Sequence, residues 1–339
     1  MKQLNIDKLN IGLILLSFVL AVLLPFELFL FSYAFLGPLH YLTEINWLQK
    51  QNYFTSSKLV VGTLIGICLL ITIIYFVTSM GLLSQITSQH LTRKYANTII
   101  TYLTLIAFIF VIISEFVKEQ KYLWLGFLVA SMLSVVVLQM FYHAHVFSFI
   151  FLPTLVHVFL FTMFFVWVGF LKSKNTISLI NLILLLIIPM VIFLWPNSFF
   201  QAYSPTSAFN VYSSTSFIKL NGFFNIEGLP NDLFYTSVVG LKTQIFISFA
   251  YTYHYLNWFS KTNVIGWAKV ISKVNLSIIG FLWVGAISLY AYNYRLGLMV
   301  LFMMSLAHVF LEFPLNIKSI RIIYKHYCQR IMLKKKRIT

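Results

Sequence analysis

Between Tyr122 and Leu171 the chain runs without one Asp, Glu, Lys or Arg. No soluble fold is built on so long an uncharged run. It is also too long for a single crossing of a bilayer, which takes about 20 apolar residues. The run therefore reads as two membrane helices with a turn near His143–His145. The rest of the chain agrees: 60% of its residues are hydrophobic and 9% are charged, against about 25% charged in soluble domains. The fold class is all-α, a polytopic membrane helix bundle. A β-barrel would need short alternating segments, and the apolar runs here are continuous.

Nine spans are expected, at 10–36, 58–80, 96–116, 122–142, 146–171, 176–195, 236–259, 270–293 and 296–316; eight or ten remain compatible. Residues 1–316 form one transmembrane domain, and 317–339 a basic tail. From Lys318 to Arg337 there are eight basic residues and no acid. The tail reads as a cytoplasmic anchor that touches anionic lipids rather than nucleic acid. With nine spans the N-terminus lies outside, and an N-terminus inside requires an even count. Arg93 and Lys94 then fall on the outer side, against the positive-inside bias. MKQLNIDKLN (1–10) runs straight into an apolar stretch longer than a signal-peptide core, so no cleavable signal is expected. The long connection 196–235 is rich in Ser, Asn, Phe and Tyr and suits an outer interfacial cap or lid. Gly37-Pro38 breaks the first span, and a short helix carrying His40 is expected to follow along the interface.

The functional signal is in the histidines. Polar groups at membrane depth cost free energy unless paired or used, so they mark functional sites by default. His40, His157, His254 and His308 fall on four spans at depths that let them converge in the inner half of the bilayer. Histidine is the commonest metal ligand, and such a set suits iron first, with zinc or copper as alternatives. Glu44 and Glu312 each follow a histidine by one helical turn and share its face. Asn257 follows His254 by three residues. These three are expected to orient the imidazoles, since a ligating imidazole usually gives its other N–H to a carboxylate or carbonyl. Glu27, the deepest acid, is a further candidate partner. His143 and His145 belong at the outer rim, and His90 and His326 among solvated residues.

Other chemistries are excluded. There is no phosphate-binding glycine loop, nucleophile elbow or HExxH. The HxxxH and HxxHH boxes of membrane desaturases are missing, and so is the CxxCH of a c-type haem, while a b-type haem between two histidines stays open. Cys68 and Cys328 make neither a disulfide framework nor a thiolate metal site.

Three local patterns carry a family resemblance. Pro38-Leu39-His40 with Glu44, Tyr253-His254 with Trp258 and Lys261, and Ala307-His308 on the last span resemble segments of the Brp/Blh family. Those are bacterial membrane β-carotene 15,15′-dioxygenases. The resemblance does not extend to that family's Pro-His-Gly run or to a His-Arg-His cluster. It implies an all-helical fold, one non-haem iron held by histidines from separate helices, and an oxygenase reaction. On this reading the protein is a cytoplasmic-membrane metalloenzyme. Its substrate is lipid-soluble, a carotenoid, other polyene or acyl chain, reached through an apolar tunnel. Two other classes stay open: a permease using Glu27, Lys242, Arg295, Glu312 and the histidines, and a subunit of a larger membrane assembly.

Overall fold

A computed structural model describes residues 3–50, 57–82, 89–117, 119–141, 146–200, 207–215, 217–225, 237–261, 266, 269 and 271–335. These residues are predominantly helical, with no strand among them. The helices are α1 (Gln3–Leu23), α2 (Pro25–Phe31), α3 (Gly37–Lys50), α4 (Lys58–Ser79), α5 (Gln89–Ser114), α6 (Leu123–Met140) and α7 (Thr162–Ser173). They continue as α8 (Thr176–Leu194), α9 (Ser207–Ser213), α10 (Ile218–Phe223), α11 (Val238–Ser260), α12 (Lys273–Tyr292) and α13 (Tyr294–Lys335). Ser32–Leu36 and Val146–Phe161 are widened to π-helical turns; the first joins α2 to α3 and the second runs on into α7 without a break. Eight of the helical passes are long and apolar enough to cross a membrane. The protein is therefore a multi-pass helical bundle of the kind its composition demands.

Two further passes are too polar for that class, and they lie at the centre. One is α11. Every residue from Gly240 to Tyr255 is buried, including Lys242, Gln244, Ser248, Thr252 and His254. A helix walled on all sides has no lipid to face, so its exterior need not be apolar. The peripheral α12 is the opposite: only Ile279, Ala286 and Tyr290 are buried.

The other is Pro25–Lys50, and here the expected topology is corrected. The first span does not run from 10 to 36. Pro25 has no N–H to continue a helix and restricts the residue before it; Leu24 takes φ −136° and ψ 60°, and α1 ends there. Contacts along α11 then give the directions. Asn10 meets Ser260, Phe18 meets Phe249 and Pro25 meets Gln244, so α1 runs antiparallel to α11. Ser32 pairs with Thr252 at 2.8 Å, His40 with His254, and Thr43 with Trp258, so Pro25–Lys50 runs back parallel to it. The amphipathic helix after Gly37-Pro38 is therefore not laid along an interface. It is the inner half of a returning pass, with Pro38, His40, Tyr41, Thr43, Glu44, Trp47 and Leu48 buried.

Among the described residues the chain thus makes ten passes, and α1 begins at the end of the bundle from which the basic tail leaves. The boundary expected at 316 is not a break either, because α13 runs on through Pro314 to Lys335 as one helix. At the opposite end, the described parts of 196–235 plug the bundle. Tyr212 and Leu220 are fully buried, the Tyr212 hydroxyl donates to Asn221 Oδ1, and Asn221 Nδ2 donates to Gln244 Oε1 at 3.2 Å.

Candidate metal centre

His40 on α3, His157 in the widened turns before α7, His254 on α11 and His308 on α13 meet in the middle of the bundle. All four are at most 6% exposed. Their rings close a circuit. Centroids are 4.7 Å apart for His40–His254, 5.3 Å for His254–His157, 5.1 Å for His157–His308 and 5.6 Å for His308–His40. Pairing fixes the depth: the Trp258 indole N–H donates to Thr43 Oγ1 at 3.0 Å, one turn beyond the His40–His254 contact.

His40 Nε2 lies 3.1 Å from His254 Nε2 and 3.1 Å from Glu44 Oε2. Two donors bound to one metal at roughly 2.0–2.1 Å stand about 2.8–3.4 Å apart for bond angles between octahedral and tetrahedral. Both contacts fall in that range. Donor atoms of His40, Glu44 and His308 all lie within 4.8 Å of one another, a group that could hold a metal ion once its donors draw in slightly. Glu312 Oε2 lies 3.4 Å from His157 Nε2.

The donor set also fits a metal by what its atoms lack. Both nitrogens of His157, and Oε2 of Glu44 and of Glu312, are buried with no hydrogen bond beyond the His40–Glu44 and His157–Glu312 contacts. Buried polar atoms are nearly always satisfied, and an orphan needs a cause such as an ion. Here several orphans point into one cluster, and imidazole plus carboxylate is a donor set that iron, zinc and copper accept.

The sequence expectation changes in three details. Glu312 shares a face with His308 but its carboxylate meets His157. Glu44 touches Nε2 of His40, the nitrogen that faces the cluster, so it stands beside the imidazole as a donor rather than behind it. Asn257 does not support His254; its Oδ1 accepts from the Tyr253 hydroxyl at 3.4 Å. The partner of His254 Nδ1 is Thr162 Oγ1 at 2.7 Å, and the Val158 carbonyl also bonds this imidazole. With Nδ1 committed to that side, Nε2 presents its lone pair to the cluster. Thr162 carries no sequence signal of this role, because a Thr in an apolar helix ordinarily back-bonds its own turn.

Glu27 lies outside the group, in the first turn of α2 at the other end of the returning pass from His40. His326 is half-buried on the tail helix and meets the Tyr327 ring edge to face. His143 and His145 lie outside the described residues, as does the side chain of His90. Lys242 is held far from the cluster. Its Nζ donates to the Phe193 and Trp195 carbonyls and to Asn197 Oδ1, satisfying the C-terminus of α8.

Two cavities flank the histidines. Toward the plugged end lies one of about 100 Å³, lined by Tyr33, Tyr75, Phe217, Tyr251, Tyr255 and Phe302 and floored by His157, His254 and His308. Toward the tail lies one of about 540 Å³, reached by His40, His254, Glu44 and Glu312 and rimmed by Lys172, Lys261 and Lys318. His254 borders both.

No family model, no curated protein and no solved structure matches this chain.

Proposed function

We propose that this is a membrane metalloenzyme whose His40, His157, His254 and His308, with Glu44 and Glu312 as carboxylate donors, hold one metal ion. Iron is favoured over zinc or copper. The observation that carries the reading is the four-imidazole circuit, drawn from four passes of the bundle, with two carboxylates against it and unsatisfied buried donor atoms inside it. A bound iron would supply oxygen activation. The chain's own part is to exclude water from the aromatic side, which oxygen chemistry requires, and to fix His254 through Thr162. The aromatic cavity favours a lipid-soluble substrate, a polyene or an acyl chain, entering from the bilayer. The shared pattern with the Brp/Blh dioxygenases supports the same chemistry. The basic tail supports a cytoplasmic-membrane location with that end inside.

The test is metal analysis of the purified protein. Wild type is expected to hold about one equivalent, and His254→Ala and His308→Ala to lose it while still purifying as folded, helical protein. Wild type with no stoichiometric metal overturns the reading.

A further inference from the structure

A third cavity lies at the plugged end of the bundle. It has a volume of about 260 Å³ and is lined by Arg93 of α5 and Arg295 of α13, with Tyr75, Thr78, Asn97 and Leu298 among its other walls. Among the described residues no Asp or Glu lines it. Tyr75 and Leu298 are also walls of the aromatic cavity, so the two cavities adjoin. The way inward from the arginines is apolar, and it ends at His157, His254 and His308.

Two arginines from different helices around one uncharged hollow make an anion site by their chemistry, since guanidinium forks match carboxylate and phosphate oxygens. Their position needs a cause. Arg93 stands at the end of the bundle opposite the basic tail, where the positive-inside bias predicts few cations. From Arg295 to His308 along α13 is about 20 Å at 1.5 Å per residue, the reach of a long acyl chain.

We propose that the protein binds a single-chain anionic amphiphile. Its carboxylate or phosphate head sits between Arg93 and Arg295, and its chain passes Tyr75 and Leu298 into the aromatic cavity toward the histidines. This rests on the reading of the aromatic cavity as a substrate site, and it names the substrate class: an acid-headed chain rather than a neutral hydrocarbon. The head sets how deep the chain goes, so it selects which carbon faces the histidines.

The experiment measures binding to purified wild-type protein in neutral detergent, with oleate, oleyl phosphate, oleyl alcohol and inorganic phosphate as probes. Oleate and oleyl phosphate are expected to bind at least about tenfold more tightly than oleyl alcohol, the worth of one charge-assisted contact. Arg93→Gln and Arg295→Gln should each remove most of that preference and leave oleyl alcohol unchanged. Leu298→Trp, which narrows the junction, should weaken all three chains. Equal binding of oleate and oleyl alcohol overturns the proposal, and so does oleate binding that ignores both arginine variants. Inorganic phosphate as strong as oleyl phosphate also overturns it, because the site would then be a free-anion site. Metal content is measured alongside: oleate selectivity in a protein that holds no metal sinks the metal reading and leaves this one standing.

Discussion

The two cavities that meet at His254 differ in size and in the charge of their walls. The aromatic one is small, and among the described residues no Asp, Glu, Lys or Arg lines it. The tail-end one is several times larger and carries three lysines, two glutamates, Asn257 and Ser319. At about 540 Å³ it is within the ordinary range of ligand pockets and has room for water. The histidines form the partition. A metal held there would present one face to a dry space and another to a wet one. On the proposed reading, such a partition would let an apolar chain and the protons of a reaction reach the same atoms by separate routes.

Thiol chemistry gives the largest expected contrast. Gly169 borders the wet cavity, and a side chain grown there meets no atom within 4 Å. Ser305 borders the dry one, where its hydroxyl pairs with Tyr33 at 3.2 Å. In a background with Cys68→Ala and Cys328→Ser, Gly169→Cys should react readily with a charged methanethiosulfonate. Ser305→Cys should react on the order of a hundredfold more slowly, because only the thiolate reacts and an apolar site withholds it. Equal rates would mean that water fills both cavities, and the partition would be gone.

How much of this was legible in the sequence follows from where each residue sits. The lipid-facing helices announce themselves by long uncharged runs, because lipid tolerates nothing else. The two central passes do not, since protein surrounds them. Span 236–259 was nevertheless found, because its flanks are polar enough to bound it. The returning pass reads as one span with α1, because residues 10–36 are uncharged apart from Glu27 and hide a reversal at Leu24-Pro25. Pro25 was the available clue: a proline inside an apolar run longer than one crossing needs. The four histidines could be named from depth and isolation alone. Their carboxylate partners could not be assigned fully, because helix spacing fixes which face Glu312 occupies but not which neighbouring helix it meets. Thr162 was invisible for the reason that most membrane threonines mean nothing.

Thr162 sharpens the comparison from the partition itself. Thr162→Val removes the hydroxyl 2.7 Å from His254 Nδ1 and keeps the volume. Loss of such a supporting contact typically weakens metal binding 10–100-fold. The lower end, about tenfold, is expected here because the Val158 carbonyl still bonds the imidazole. Asn257→Ala, one turn beyond His254 and in the wet cavity, should leave metal affinity unchanged. Competitive chelator titration of the two variants separates them. An Asn257 effect as large as that of Thr162 would return the supporting role to the residue that helix spacing alone suggests.

The smallest effect concerns the rim of the wet cavity. Lys261 lies just past α11, and burial lowers its pKa from 10.5 to about 8, with Asp7 pulling the other way. A lysine with a depressed folded pKa opposes folding while it is charged. Below pH 8 both folded and unfolded chains hold the proton, and the penalty is present in full. Between pH 8 and 10.5 the unfolded chain holds a proton that the folded chain has released, so this group's contribution to stability rises with pH across that window. Lys261→Met removes the group. The variant should melt slightly above wild type at pH 7, with the gap closing by pH 10, as read from thermal unfolding in detergent. Ser305→Ala, on the dry side, should show a pH-independent offset. A Lys261→Met gap that stays constant from pH 7 to 10 would mean that the lysine is solvated in both states, and that the wet cavity opens to bulk water at its rim.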